Sequence, residues 1–237
     1  MAIDKNAYFK YQENKAQTGY GAAILVKLPT DTLYSLLCAS ETVPSIFGSS
    51  DSFEFDLLNS PVKGKLEGKP SLDEKEVEVL HHRDNVYRFE KLKGKTLDFL
   101  VVDSQFVGYK FVGTVSYRMN DASADVMRGT YTITPMSADP TPILNARPLC
   151  QETLCFGSVV PESIKAGETV TLSVVQTSAV VTYKAYKVGD DYTETIDSSA
   201  IASNVFTAPT LGGMYAITAE AAGYAPWTTT VYVEPTI

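Results

Sequence analysis

The chain has 237 residues, enough for two domains of ordinary size, and its 44% apolar and 20% charged residues are typical of a globular protein rather than a disordered one. Its net charge of −8 disfavours tight binding to nucleic acid, which requires a basic surface. There is no apolar run of about 18 residues, and the polar N-terminus lacks the apolar centre of a secretory signal, so the sequence predicts no membrane anchor and folding in the cytoplasm.

The three cysteines, Cys38, Cys150 and Cys155, are an odd and sparse set. This number argues against a disulfide framework. We interpret them as free thiols, with a Cys150–Cys155 pair as the less favoured alternative.

The first fifty residues are the hardest to interpret: residues 20–27 are a plausible strand, and residues 30–38 fit either a helix or a strand. Two strands with alternating patterns follow, at residues 52–58 and 76–79. Their apolar faces carry Phe53, Phe55, Leu57, Val77 and Val79, and their acidic faces carry Glu54, Asp56, Glu76 and Glu78. Residues 60–75 mix glycine, proline and charge, which predicts a long mobile loop.

Residues 84–93 have a helical period, with one apolar stripe formed by Val86, Phe89 and Leu92. Asp84 is suited to cap the N-terminus, and Gly94 is suited to end the helix in the left-handed conformation. We expect the stripe to pack on a sheet, since a short amphipathic helix between strands must cover its apolar side.

Three strands are expected after the helix, at residues 96–102, 106–117 and 126–134, with a turn at residues 120–123 joining the last two. Four prolines between residues 135 and 148 then indicate a linker. The predicted division is a first domain at residues 1–138, a proline-rich linker at 139–156 and a second domain at 157–237.

The second domain reads as a series of short strands separated by turn residues, which is typical of a β-sandwich. The expected strands lie at residues 163–165, 168–175, 180–188, 204–207, 214–221 and 228–233. The fold class is therefore mainly β, with one short α-helix in the first domain.

Few residues fit a catalytic or metal site. The only histidines, His81 and His82, are adjacent, and on a strand they would point to opposite faces. A glycine-rich stretch at residues 64–71 lacks the spacing of a phosphate-binding loop, and the acids at residues 73–78 fit a solvated strand face better than a metal site. We predict no catalytic residues, no cofactor and no metal.

The first domain resembles the tail-tube (major tail protein) family of long-tailed bacteriophages over roughly residues 39–138. The resemblance is one of layout: a turn at Pro44-Ser45 with Gly48, the strand at residues 52–58, a glycine-hinged loop to Leu72, the helix at 84–93 and a closing hairpin ending at 125–134. It implies a virion protein whose hexameric rings stack into a tube around DNA and the tape-measure protein and meet tail-end proteins at the tube ends, with no membrane partner.

The resemblance assigns roles to the charged residues of this domain. The four acids Glu54, Asp56, Glu76 and Glu78 are expected to face the tube lumen and repel DNA that passes without specific binding. The loop, with Lys63, Lys65, Lys69 and Asp73, is expected to contact neighbouring subunits. The competing possibility is that some of these acids pair with lysines of a neighbouring subunit.

The second domain resembles bacterial immunoglobulin-like modules at residues 164–173 and 213–224, with Tyr215 at the place of a tyrosine corner. Because it has no cysteine pair, contact between its sheets is left to apolar residues: Leu172, Val174 and Ile217. An alternative function is a cell-surface or fimbrial adhesin that holds carbohydrate through this domain. Trp227 would then be an exposed platform, although the edge of the core is the favoured place for it.

Overall fold

A computed structural model of the chain describes residues 22–38, 43–44, 50–55, 64–70, 73–120, 127–136, 140–176 and 178–235; for strands 50–55 and 64–70 it describes the backbone. These residues are mainly β with one α-helix, so the predicted fold class is confirmed. The predicted turn at residues 120–123 lies almost wholly outside them.

The first part of the chain builds a seven-stranded antiparallel sheet and a separate hairpin. The strands are β1 Ala23–Lys27, β2 Ser35–Leu36, β3 Ser50–Phe55, β4 Gly64–Pro70, β5 Lys75–Leu80, β6 Leu97–Val102, β7 Gly108–Met119, β8 Arg128–Pro135 and β9 Thr141–Ile143. The large sheet has the order β2-β1-β6-β7-β8-β5, with β9 also paired to β7, and among the described strands β3 pairs only with β4.

The β3–β4 hairpin corrects the predicted loop at residues 60–75, because residues 64–70 of that loop form a strand. Glycine, proline and lysine made this segment unlike a strand, and only its pairing with β3 reveals one. In the backbone register Leu66 stands opposite Phe53 and Lys65 opposite Glu54.

The core of the first sheet lies beneath helix α1, Arg83–Leu92. Strand β5 alternates as expected, with Val77 and Val79 buried and Glu76 and Glu78 exposed. The helix places Leu92 and Phe89 against this core, where the Phe89 ring lies 5.9 Å from that of Tyr117. This is the sheet contact that the stripe predicts.

The helix begins one residue earlier than predicted, and its cap is His82 rather than Asp84. The Nδ1 atom of His82 accepts from the backbone N–H of Asp84 at 3.3 Å, which satisfies one of the free donors at the helix start. Asp84 instead uses its carboxylate on another part of the chain. At the other end Gly94 has φ of +71°, the left-handed conformation expected for it.

The C-terminal module, residues 157–235, is a β-sandwich. Its strands are β10 Ser163–Lys165, β11 Thr169–Thr171, β12 Thr182–Val188, β13 Glu194–Ile196, β14 Ile201–Ala202, β15 Val205–Thr207, β16 Gly213–Glu220 and β17 Trp227–Glu234. One sheet has the order β10-β17-β16-β12-β13 and the other β11-β15-β14. A shared core, with Leu172, Phe206, Tyr215 and Ile217 all buried, joins them; β13 and β14 have no counterpart among the predicted strands.

The proline-rich segment between the two parts is structured and paired. Strand β9 extends the large sheet, and a 3₁₀ helix follows at Arg147–Leu149. Two isolated β-bridges follow. One joins Cys150 to Tyr34 in the first part of the chain, and the other joins Thr153 to Ala225 in the C-terminal module. The segment expected to be a linker therefore contacts both parts of the molecule.

Candidate functional site

The second face of helix α1 lies against the outer face of the larger C-terminal sheet. Tyr87 is buried there with Val188 and Ala216, and Tyr186 and Met214 pack around them. The helix thus lies between two sheets, and only one of these contacts follows from its apolar stripe. Outside the stripe most residues of the helix are polar, so the sequence predicts that this side of the helix faces solvent.

Asp84 ties the start of the helix to strand β17. Its Oδ1 accepts from the Thr230 backbone N–H at 2.7 Å and from the Thr230 hydroxyl at 2.6 Å, and its Oδ2 accepts from the Thr229 hydroxyl at 3.0 Å. Hydrogen bonds to a charged acceptor are among the strong ones. This carboxylate therefore fixes the position of the module relative to the helix.

Glu194 of β13 makes a second polar contact with the same helix face. The Lys91 Nζ lies 2.9 Å from the Glu194 carboxylate, and the Tyr87 hydroxyl donates to that carboxylate as well. Burial raises the pKa of Glu194 and lowers the pKa of Lys91, because both groups lose water at the contact.

Arg88 lies between Asp84 and Lys91 on this face of the helix. Its guanidinium lies 4.5 Å from the centre of the Trp227 ring and donates to the Leu36 carbonyl. Burial lowers the pKa of Arg88. The ionisable groups that oppose this lowering of the Arg88 pKa are the Tyr131 hydroxyl and the Cys38 thiol. Burial raises the pKa of Cys38 to about 12 and raises that of Tyr131 further, so both are neutral at pH 7.

A cleft of about 500 Å³ opens where these elements meet. Helix α1 supplies Arg88 and Lys91, β17 and its preceding turn supply Trp227, and the segment after β1 supplies threonines. Trp227 is partly buried on the wall of this cleft. Since the Arg88 guanidinium stacks over its ring, Trp227 is neither an open platform nor a residue of the sandwich core.

The outer face of β5 carries two of the four acids expected to face a lumen. The Glu76 carboxylate lies 3.0 Å from the guanidinium of Arg118 on β7, and the Glu78 carboxylate lies 3.2 Å from that of Arg128 on the adjacent strand β8. These ion pairs reduce the negative charge of the face. The sequence pattern did not reveal them, because the arginines are about forty or fifty residues further along the chain.

The remaining predicted site residues are distributed over the first part of the chain. Glu54, Lys65 and Lys69 lie on the β3–β4 hairpin, which is not part of the seven-stranded sheet, and Asp73 is exposed just before β5. Asp56 and Lys63 lie outside the described residues. Of the helix stripe, Leu92 is buried, whereas Phe89 and Val86 are partly buried.

Three further observations concern the described residues. The thiols of Cys38, Cys150 and Cys155 are free, and no group of three or more histidine, cysteine, aspartate or glutamate side chains there is arranged to hold a metal ion. Among the helical residues of that part, none form a helix long and apolar enough to cross a membrane. Neither a protein-family model nor a curated protein sequence matches the chain.

Proposed function

We propose that the chain is a non-enzymatic structural subunit of a long-tailed bacteriophage tail, which assembles into stacked rings that form the tail tube. The rings are hexameric, as the resemblance of residues 39–138 implies. The tube encloses DNA and the tape-measure protein without binding DNA specifically, and the neighbours of each subunit are copies of itself. The protein belongs to the virion and is assembled in the host cytoplasm.

The observation that carries this proposal is the edge of the large sheet at β5. Strand β5 pairs with β8 on one side, and in the part of the chain that the structure describes no strand pairs with its other side. An open strand edge is a template for a strand of another chain, and closing strands into a shared barrel removes such edges. The hairpin β3–β4 immediately precedes this edge.

The register identifies which backbone groups a neighbour would use. The N–H of His81 donates to the Met127 carbonyl at 2.9 Å, and bonded pairs alternate along an antiparallel ladder. Val79 and Val77 therefore also bond to β8, whereas the N–H group of Glu76 points to the other side of the strand. A strand of a neighbouring subunit would pair with β5 through this group.

A matched pair of substitutions tests this use of the edge. Glu76→Pro removes a donor on this side of β5 and leaves the bonded residues of the β5–β8 ladder in place. Glu76→Gln removes the same charge and keeps the donor. We expect the wild-type chain and Glu76→Gln to form hollow rings or tubes in negative-stain electron microscopy, and Glu76→Pro to remain a folded monomer by sedimentation and circular dichroism.

Two results would count against the proposal. One is a wild-type chain that stays monomeric at every concentration reached in sedimentation. The other is Glu76→Pro forming tubes as readily as Glu76→Gln, which would mean that this edge of β5 is not the assembly surface.

A further inference from the structure

The charge of Arg88 has no anionic partner among the described residues. Its guanidinium carries five N–H donors, of which the Leu36 carbonyl accepts one bond, and none of the ion pairs of the described chain includes it. Stacking on Trp227 compensates part of the cost of burial. Arg88 is partly buried, and a charge that is drawn away from water is ordinarily paired with an opposite charge, so the missing partner points to a ligand.

The carboxylates that line the same cleft already have other partners. Asp84 accepts three hydrogen bonds from Thr229 and Thr230, and Asp31 accepts from the Leu28 backbone N–H and the Thr30 hydroxyl within its own turn. Lys91 is paired with Glu194. Arg88 is therefore the cationic side chain of this cleft that has no acidic partner among the described residues.

The rest of the lining suits a ligand that carries hydroxyl groups. Thr30, Thr32, Gln151 and Thr228 present neutral donors and acceptors around the opening. A volume of about 500 Å³ at the junction of two structural units is typical of a small-molecule site. The planar guanidinium matches a carboxylate through two parallel hydrogen bonds.

We propose that the cleft between helix α1 and the C-terminal module binds a small hydroxylated carboxylate, of the sugar-acid class, whose carboxylate pairs with Arg88. The site goes beyond the structural function proposed above and does not depend on it. It gives a C-terminal module docked on the helix a binding role that neither unit has alone, because Arg88 comes from one unit and Trp227 from the other.

The single tryptophan of the chain makes the site directly measurable. Trp227 is on the cleft wall and in contact with Arg88, so its fluorescence reports on this place and no other. The probes are glucuronate, its uncharged counterpart glucose, and acetate, which has the charge without the hydroxyl groups. We expect a saturable change with glucuronate, a change at least about tenfold weaker in affinity with acetate, and none with glucose.

Arg88→Gln should weaken glucuronate binding by about tenfold to a hundredfold, the range expected for losing a hydrogen-bonded charge pair. Arg83→Gln is the matched control and should bind as the wild type does, because Arg83 donates to the Glu162 carbonyl and does not line the cleft. If Arg88→Gln does not fold, Arg88→Lys replaces it, since it keeps the charge and loses the planar fork.

Three outcomes would overturn the proposal. They are the absence of a saturable glucuronate signal in the folded wild-type chain, equal affinity for glucose or acetate, and unchanged binding in the Arg88 variant. Ligand-induced thermal stabilisation, which measures binding to the folded state independently of fluorescence, should give the same ranking of probes. Both measurements use the unassembled full chain, so they succeed or fail separately from tube formation.

Discussion

The two faces of helix α1 hold the molecule together in different ways. Towards the seven-stranded sheet, Phe89 and Leu92 join an apolar core, where stability comes from removing surface from water. Towards the C-terminal module, Asp84 and Lys91 make directed polar bonds around the buried ring of Tyr87. The apolar contact tolerates small shifts in angle, whereas the polar contact is lost when its donors move, so the first face supports folding and the second fixes orientation.

The largest expected effect is on the apolar face. Phe89→Asp places a charge without a partner against the core and should destabilise the chain by about 3 kcal/mol or more, enough to prevent folding of a marginal domain. Phe89→Leu keeps an apolar side chain and should cost about 1 kcal/mol. Circular dichroism and the yield of soluble protein provide the measurement, and similar losses from both variants would contradict the assignment of this face to the core.

A change on the polar face should destabilise the chain less than Phe89→Asp does. Asp84→Ala removes the acceptor shared by Thr229 and Thr230 and should lower the free energy of unfolding by about 2 kcal/mol, while the secondary structure of each part is kept. Hydrogen exchange should increase in β17 and in the first turn of the helix, and the fluorescence of Trp227 should shift as the contact opens.

Asp31→Ala is the control for this change, because Asp31 also lines the cleft but bonds within its own turn. It should leave exchange in β17 unaltered. If Asp84→Ala protects β17 as well as the wild type does, or if Asp31→Ala exposes it to the same degree, then Asp84 does not fix the C-terminal module in position.

The same contrast explains what the sequence could predict. The apolar stripe of the helix and the alternation of Val77 and Val79 with Glu76 and Glu78 are periodic signals, and the structure has both. Most strands of the C-terminal module were also predictable, since turn residues such as Gly167 and Gly223, both at positive φ, separate them. The local pattern of apolar and polar residues therefore predicts those helices and strands that have one buried and one exposed face.

Elements whose partners are distant in the chain could not be predicted in this way. Strand β4 is rich in glycine and lysine and is recognisable only through its register with β3. Strand β13 is exposed along its length, so it shows no alternation. The cleft depends on Arg88 meeting Trp227 about 140 residues later, and an arginine on the polar side of a helix is ordinarily solvated.

The smallest expected effect is the coupling free energy between Lys91 and Glu194. It tests whether electrostatic attraction contributes measurably to the polar face. Lys91 and Glu194 are both partly exposed, and exposed ion pairs contribute about 0.2–1 kcal/mol. A double-mutant cycle of Lys91→Gln and Glu194→Gln isolates their coupling from the bond that the Tyr87 hydroxyl donates to Glu194. We expect a coupling of about 0.5 kcal/mol in low salt that vanishes near 1 M salt, since screening acts strongly on exposed charges.

Lys93→Gln, which removes a pair with Glu90 inside the helix, should show no coupling to Glu194 at any salt concentration. A Lys91–Glu194 coupling of zero in low salt would mean that Asp84 and the bond from Arg83 to the Glu162 carbonyl orient the module without this pair. A coupling that persists in 1 M salt would mean that the pair is shielded from solvent.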